Sequence, residues 1–209
     1  MIKILAYGIL LFWLLAVVLG RLFQLDPNQI DLNAILHTPS AVYWLGNDDL
    51  GRSILARLLH GVEVSLLVAL SVTAVTMTVG VLIGLLAGFY GGRVDQVLMQ
   101  VTDVFLAFPG ILLAIAFAAV LGPGLLNLMI ALSLTGWVSY ARLTRGQTLS
   151  LRDRQHVLAA LSLGASVPRL IGKHILPLLT SVLVVESAYS LASVMIAEAS
   201  LSFLGLGIQ

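Results

Sequence analysis

Residues 140–177 read YARLTRGQTLSLRDRQHVLAALSLGASVPRLIGKHILP. Six of the chain's eleven basic residues fall here: Arg142, Arg145, Arg152, Arg154, Arg169 and Lys173. Apolar runs lie on both sides. A basic island between membrane-length apolar segments is the pattern of a cytoplasmic loop, because positive charge is retained on that side of the bilayer. Within the island, Ala159-Ala160 and Gly164-Ala165 set small residues about one helical turn apart. Gly164-Ala165-Ser166 reads as a helix stop followed by an N-cap at Ser166, with Pro168 in the first turn of the next helix. The expectation is two short helices meeting at an elbow with little side-chain bulk, a shape that can receive another protein.

Working outward, composition fixes the class. Of 209 residues, 59% are hydrophobic and 10% charged, and the mean hydropathy is +1.05. A soluble domain carries roughly 25% charged residues, so this chain has too few to cover a water-facing surface. An all-α polytopic bundle of transmembrane helices is predicted, with about five spans and the cytoplasmic helix pair. The chain has no cysteine, which excludes disulfides, thiolate metal sites and thiol catalysis.

Residues 4–20 are apolar and uncharged between Lys3 and Arg21. They are predicted to form a first transmembrane helix within residues 1–23. A signal peptide is the rival, but no small-x-small cleavage site followed by a soluble domain is evident. Residues 24–61 are polar, with turn signals at Asp26-Pro27-Asn28 and Thr38-Pro39-Ser40, and are expected to form an external loop ending in a short amphipathic helix over 49–60. The remaining core, 62–209, is expected to hold spans near 62–90, 97–121, 125–145 and 175–200, with a cytoplasmic loop at 146–174. Gly122-Pro123-Gly124 divides the second of these from the third. Gly80, Gly84 and Gly88 recur every fourth residue and so line one face, which permits close helix packing in lipid. With the N-terminus inside, eight basic residues lie inside and three outside, in keeping with the positive-inside bias.

Catalytic chemistry is not apparent. The sequence lacks a GxxxxGK[ST] phosphate loop, a Gly-x-Ser-x-Gly elbow and a His-Glu-x-x-His pair. His37, His60, His156 and His174 are scattered and read as polar loop residues rather than a shared metal site, and no cofactor is expected. The arginines lack interleaved aromatics, so nucleic acid is not an expected partner. The intramembrane acids are more informative. Glu186 falls near the middle of the last predicted span, where it is expected to face protein or water, or to be neutralised. Asp103 lies near the inner end of the 97–121 segment and Glu198 near the outer end of the last. Glu186 and Asp103 are therefore candidates for a pathway or a helix contact.

Several motifs then occur in one order: Leu45-Gly46-Asn47-Asp48-Asp49-Leu50-Gly51-Arg52, Ala107-Phe108-Pro109, Leu121-Gly122-Pro123-Gly124, Tyr140-Ala141-Arg142-Leu143, His174-Ile175-Leu176-Pro177, and residues 197–207, AEASLSFLGLG. In this order the chain resembles the second permease subunit of the dipeptide, oligopeptide and nickel group of ABC importers, over nearly all of 40–209. The resemblance implies the fold of a type I importer permease and transport across a bacterial or archaeal cytoplasmic membrane. It also implies a heterodimer with a second permease subunit, two cytoplasmic ATPase subunits that hydrolyse the ATP, and an extracytoplasmic solute-binding protein. Peptides are the leading cargo, nickel or its chelates the next. The basic island would be the coupling loop, with Leu158, Ala159, Ala160, Gly164, Ala165, Leu176 and Pro177 in the ATPase-docking pattern. Leu158 stands where that pattern has an acid, so no carboxylate is offered there. Subunits that are similar continue with a further external loop and a sixth span, which this sequence is expected to lack. A proton-coupled secondary transporter using Glu186 or Asp103 is the alternative of a different class.

Overall fold

The computed structural model describes residues 13, 15, 18–20 and 26–207. The predicted first span lies for the most part outside the described residues. Among those described, every regular element is helical: α1 Ile54–Tyr90, α2 Gly92–Leu106, α3 Gly110–Leu121, α4 Leu125–Arg152, α5 Gln155–Ser162 and α6 Val167–Phe203, preceded by a single 3-10 turn at Leu32–Ala34. The chain forms two compact units, Met1–Leu67 and Val68–Gln209.

In the first unit the polar stretch folds onto itself through one carboxylate. Asp48 accepts from the backbone N–H groups of Leu50 at 3.0 Å and Arg52 at 2.9 Å, from Arg52 Nε at 2.8 Å, and from Arg57 Nη1 at 2.6 Å. Burial alone would raise its pKa, but the hydrogen bonds from Arg52 and Leu50 and the Arg52 guanidinium outweigh it and hold the carboxyl at about 2, against an ordinary 3.8. Asn47 donates to the Gly51 carbonyl at 3.0 Å and pairs with Ser53 across an isolated antiparallel bridge.

The amphipathic helix expected over 49–60 is not separate. It is continuous with the next apolar run as α1, 37 residues long, or about 55 Å at 1.5 Å per residue. Nothing between Ile54 and Tyr90 stops a helix, and Gly61 alone costs only about 1 kcal/mol relative to Ala. At the far end Gly91 and Gly92 have φ of +66° and +54°. These left-handed values are open to glycine at little cost, and they reverse the chain into α2.

The 97–121 segment is not one straight helix. It consists of α2 and α3, bent by 81°. Pro109 is the cause. It disfavours helical geometry at Phe108 and cannot donate an N–H back along the helix. Neither end of the predicted 146–174 loop is a loop. α4 runs on to Arg152, and α6 already begins at Val167. A π-helical turn at Ile171–Ile175, with the Leu176 N–H bonded to the Ile171 carbonyl five residues back, precedes Pro177. Widening the turn there lets the helix continue past a residue that has no N–H to give.

In the second unit the glycine stripe of α1 lies against α4. A Cβ on Gly84 would sit 2.7 Å from Thr144 Cβ, and one on Gly88 2.7 Å from Thr148 Cβ. In lipid such contacts act through van der Waals packing, since apolar burial gains nothing over the acyl chains. Val81, Leu85, Tyr140, Leu151, Val157, Leu170, Ile175 and Leu179 form the main cluster. Of the described helices, α1 and α6 are long and apolar enough to cross a membrane, and α2 with α3 qualifies as a broken span. The predicted 125–145 span does not meet that measure as part of α4, which carries Asn127, several hydroxyl residues and Arg142 on the way to its basic end. Only 11% of the apolar window of α6 is buried within the chain, against 39% for α1.

A candidate docking elbow and an intramembrane groove

The elbow is built from local hydrogen bonds. Gly164 takes φ +80°, its N–H bonds the Leu161 carbonyl at 2.9 Å, and the Ala165 N–H reaches the Ala160 carbonyl at 3.1 Å. This pair of bonds is the Schellman arrangement, which satisfies the last carbonyls of α5 and requires a left-handed residue where glycine stands. Ser166 occupies the N-cap position of α6, and Pro168 lies in its first turn. The Ser166 hydroxyl makes no capping bond, so the helix starts on backbone geometry and Pro168 rather than on the cap expected from the sequence.

One side of the elbow is fixed and the other free. Val157 and Leu170 are buried in the main cluster, with Ala160 and Ala165 packed against it. Full burial of an aliphatic side chain contributes roughly 1.5–3 kcal/mol, so these residues clamp the elbow to the bundle. Leu158, Leu161 and Leu163 point outward, with Leu163 89% exposed. Ala159 and Gly164 are exposed too, and a Cβ added at Gly164 would meet nothing within 4 Å. Leu176 is half-buried against the same cluster, and Pro177 is exposed just beyond the π turn of α6. The expected docking residues therefore divide. Leu158, Ala159 and Gly164 are on the open face, Ala160, Ala165 and Leu176 on the packed face, and Pro177 stands apart beyond the π turn.

The arginines of the island divide likewise. Arg145 clamps Asp95 with its Nε on Oδ1 and its Nη2 on Oδ2, the latter at 2.6 Å. Arg142 Nη2 donates to Asp103 Oδ1 at 2.6 Å, and Arg152 Nη1 donates to the Gly88 carbonyl at 2.9 Å. These three tie α4 to α2 and to the end of α1. Arg154, Arg169 and Lys173 are exposed and, among the described residues, have no acidic partner. Asp103 is thus a partner in a helix-to-helix ion pair, exposed on both sides, and it does not line the groove described next.

That groove, about 350 Å³, lies where α3, α4 and α6 converge. From α6 it takes Glu186, Tyr189, Ser190 and Ser193, residues three, four and seven apart and so on one face. From α4 come Thr135, Gly136 and Ser139, and from α3 Gly110, Ile111 and Ala114. Ser190 is within 3.4 Å of Thr73 Oγ1, and the buried Tyr140 hydroxyl donates to Ser187 at 3.2 Å. Glu186 is half-buried at the wall. A charge in mid-membrane costs about 2.5–3.5 kcal/mol on insertion scales, which favours a protein- or water-facing position. Among the described residues no three His, Asp or Glu side chains come together as a metal site. The Arg–Asp ties were not foreseen in the sequence. Their only signal was acids on α2 within reach of arginines some forty to fifty residues later.

Comparison with known proteins places these features in a wider group. Residues 80–209 match the family model described as binding-protein-dependent transport system inner membrane component. The chain is 42% identical over 184 residues, 88% of its length and 62% of the relative, to the probable D,D-dipeptide transport system permease protein of Escherichia coli (strain K12). It is 36% identical over 204 residues, 96% of its length and 63% of the relative, to the dipeptide transport system permease protein of Bacillus subtilis (strain 168). It is also 41% identical over 183 residues, 88% of its length and 66% of the relative, to the nickel transport system permease protein of Escherichia coli (strain K12). The chain spans a little over three-fifths of the length of these curated relatives.

Proposed function

The chain belongs to the family of binding-protein-dependent transport system inner membrane components, and from that membership we propose that it is a permease subunit of an ATP-driven importer of peptides, with nickel or its chelates as the second cargo class. The carrying observation is the extent of identity, 36–42% across 88–96% of this chain, to proteins that are themselves permeases of dipeptide and nickel transport systems. These relatives are transport permeases, not enzymes, and the chain is a multi-pass membrane protein. The proton-coupled alternative is not favoured by them.

In this reading the chain contributes part of a pathway and no hydrolytic group. A second permease subunit pairs with it, two cytoplasmic ATPase subunits supply the energy, and an extracytoplasmic solute-binding protein delivers cargo. The elbow, with Leu158, Leu161 and Leu163 outward, receives an ATPase. Closure of the ATPase pair is passed to α4 and α6 as a rigid-body step, because the elbow is clamped between them through Val157 and Leu170. The N-terminus lies inside, the side that the basic bias favours. Glu186 lines the pathway, and Asp103 supports it as a helix contact.

The test has two arms. Since the chain has no cysteine, Leu163→Cys gives a single label site on the elbow, which is expected to react with an impermeant maleimide only after the membrane is opened. Purification of the native complex is expected to recover an ATPase and a second permease. Labelling from outside intact cells, or recovery of neither partner, contradicts the reading.

A further inference from the structure

We propose that Glu186 is the contact for a positively charged centre of the cargo as it passes through the groove. This rests on the importer reading above and deepens it. Glu186 differs from every other carboxylate of residues 68–207. Asp95 is held by Arg145, Asp103 by Arg142, Asp153 lies 3.7 Å from Arg152, and Glu198 accepts from Ser202 at 2.9 Å. Glu186 has neither a hydrogen bond nor an ion pair among the described residues, and no Lys, Arg or His lines its groove. A carboxylate left without a cation, in a site otherwise of hydroxyls and apolar groups, is complementary to a cation that comes from elsewhere.

The surroundings fit a small ligand with one charge. Ser139 across the groove and Ser193 two turns along α6 are also without hydrogen-bond partners among the described residues. They add neutral donors and acceptors around the single charge. The volume of about 350 Å³ is within the usual range of small-molecule sites, about 300–1,000 Å³. The relatives supply a common chemistry. A dipeptide presents an N-terminal ammonium and nickel is a divalent cation; both carry positive charge toward a carboxylate, the ammonium through hydrogen bonds and the metal through coordination to oxygen.

The test measures retention of radiolabelled dialanine and of radiolabelled nickel(II) by the permease complex purified in nanodiscs, without a solute-binding protein. The wild-type complex is expected to retain one of the two. Glu186→Gln, which removes the charge at nearly constant shape, is expected to weaken that retention by about tenfold, the scale of one charge-assisted hydrogen bond. Glu186→Asp should restore most of it. Retained dialanine identifies the ammonium as the source, and N-acetyl-dialanine should then fail to compete; retained nickel identifies the metal. Equal retention by Glu186→Gln and wild type overturns the proposal, as does effective competition by N-acetyl-dialanine in the dialanine arm. Retention of neither probe by the wild type overturns it as well. Loss of the second permease from the Glu186→Gln complex would assign the carboxylate to a helix contact, also against the proposal. ATP-driven uptake of the same two probes by intact membranes is measured alongside. Uptake by the wild type with a failed retention test rejects the Glu186 contact alone, whereas absence of uptake rejects the importer reading beneath it.

Discussion

The elbow at Gly164 and the groove at Glu186 lie in the same unit but are assembled in opposite ways. The elbow is closed by two backbone bonds between residues three and five apart, and its shape follows from one glycine. The groove needs residues from Gly110 to Ala197 brought together by three helices, and its shape follows from how those helices pack. A locally determined feature tolerates change in the rest of the molecule and responds to its own residues. A tertiary one depends on contacts far from the residues that line it.

Substitutions at two glycines set the contrast at its widest. Gly84→Leu should be the most damaging, because its side chain would enter a crossing where even a Cβ lies 2.7 Å from Thr144 Cβ. A loss of about 3 kcal/mol is expected from such overpacking, read as a fall in Tm of the purified protein in detergent. An unchanged Tm would mean that α1 and α4 do not depend on this crossing. At Gly164 there is open space, so Gly164→Ala should cost only the left-handed backbone penalty of about 1 kcal/mol, with Tm barely moved. If it destabilises as much as Gly84→Leu, the elbow is not locally determined.

The smallest effect concerns Asp48, in the other unit. Its carboxyl sits at about 2 when folded against 3.8 in the free chain. As pH falls, the unfolded state takes up the proton first, so the stabilisation present above that window is lost between pH 3.8 and about 2. Thermal melts of Asp48→Asn should therefore show a shallower decline over that interval than the wild type. Equal slopes would remove Asp48 as the hub of its loop.

Legibility in the sequence follows the same division. Gly164, Ser166 and Pro168 mark a helix end and a helix start within five residues, which is why the elbow could be placed. The spacing of Gly80, Gly84 and Gly88 showed a packing face, though not that α4 would cover it. Where local signals were present but weighed against a long apolar run, the run misled: Pro109 breaks the 97–121 segment, and the absence of any breaker between Ile54 and Tyr90 makes one helix of two expected pieces. Glu186 stood out as a charge in an apolar span. Its face partners Ser190 and Ser193 follow from helical spacing, but Ser139 and Gly110 reach it only through tertiary packing. For the same reason the basic island overstated its free charge, since Arg142, Arg145 and Arg152 are spent on ties inside the protein.

The most direct test of the account is the fate of a bulky side chain at the elbow. Gly164→Trp projects into open space, so it should insert in the membrane at near wild-type levels, and Gly164→Ala controls for the backbone conformation. The measurement is the amount of ATPase subunit that co-purifies with each variant, together with ATP-driven dialanine uptake, at matched membrane levels. The account predicts that Gly164→Ala keeps both while Gly164→Trp loses the ATPase or its coupling to uptake. Gly164→Trp retaining the ATPase and full uptake would contradict the assignment of this elbow as the docking point.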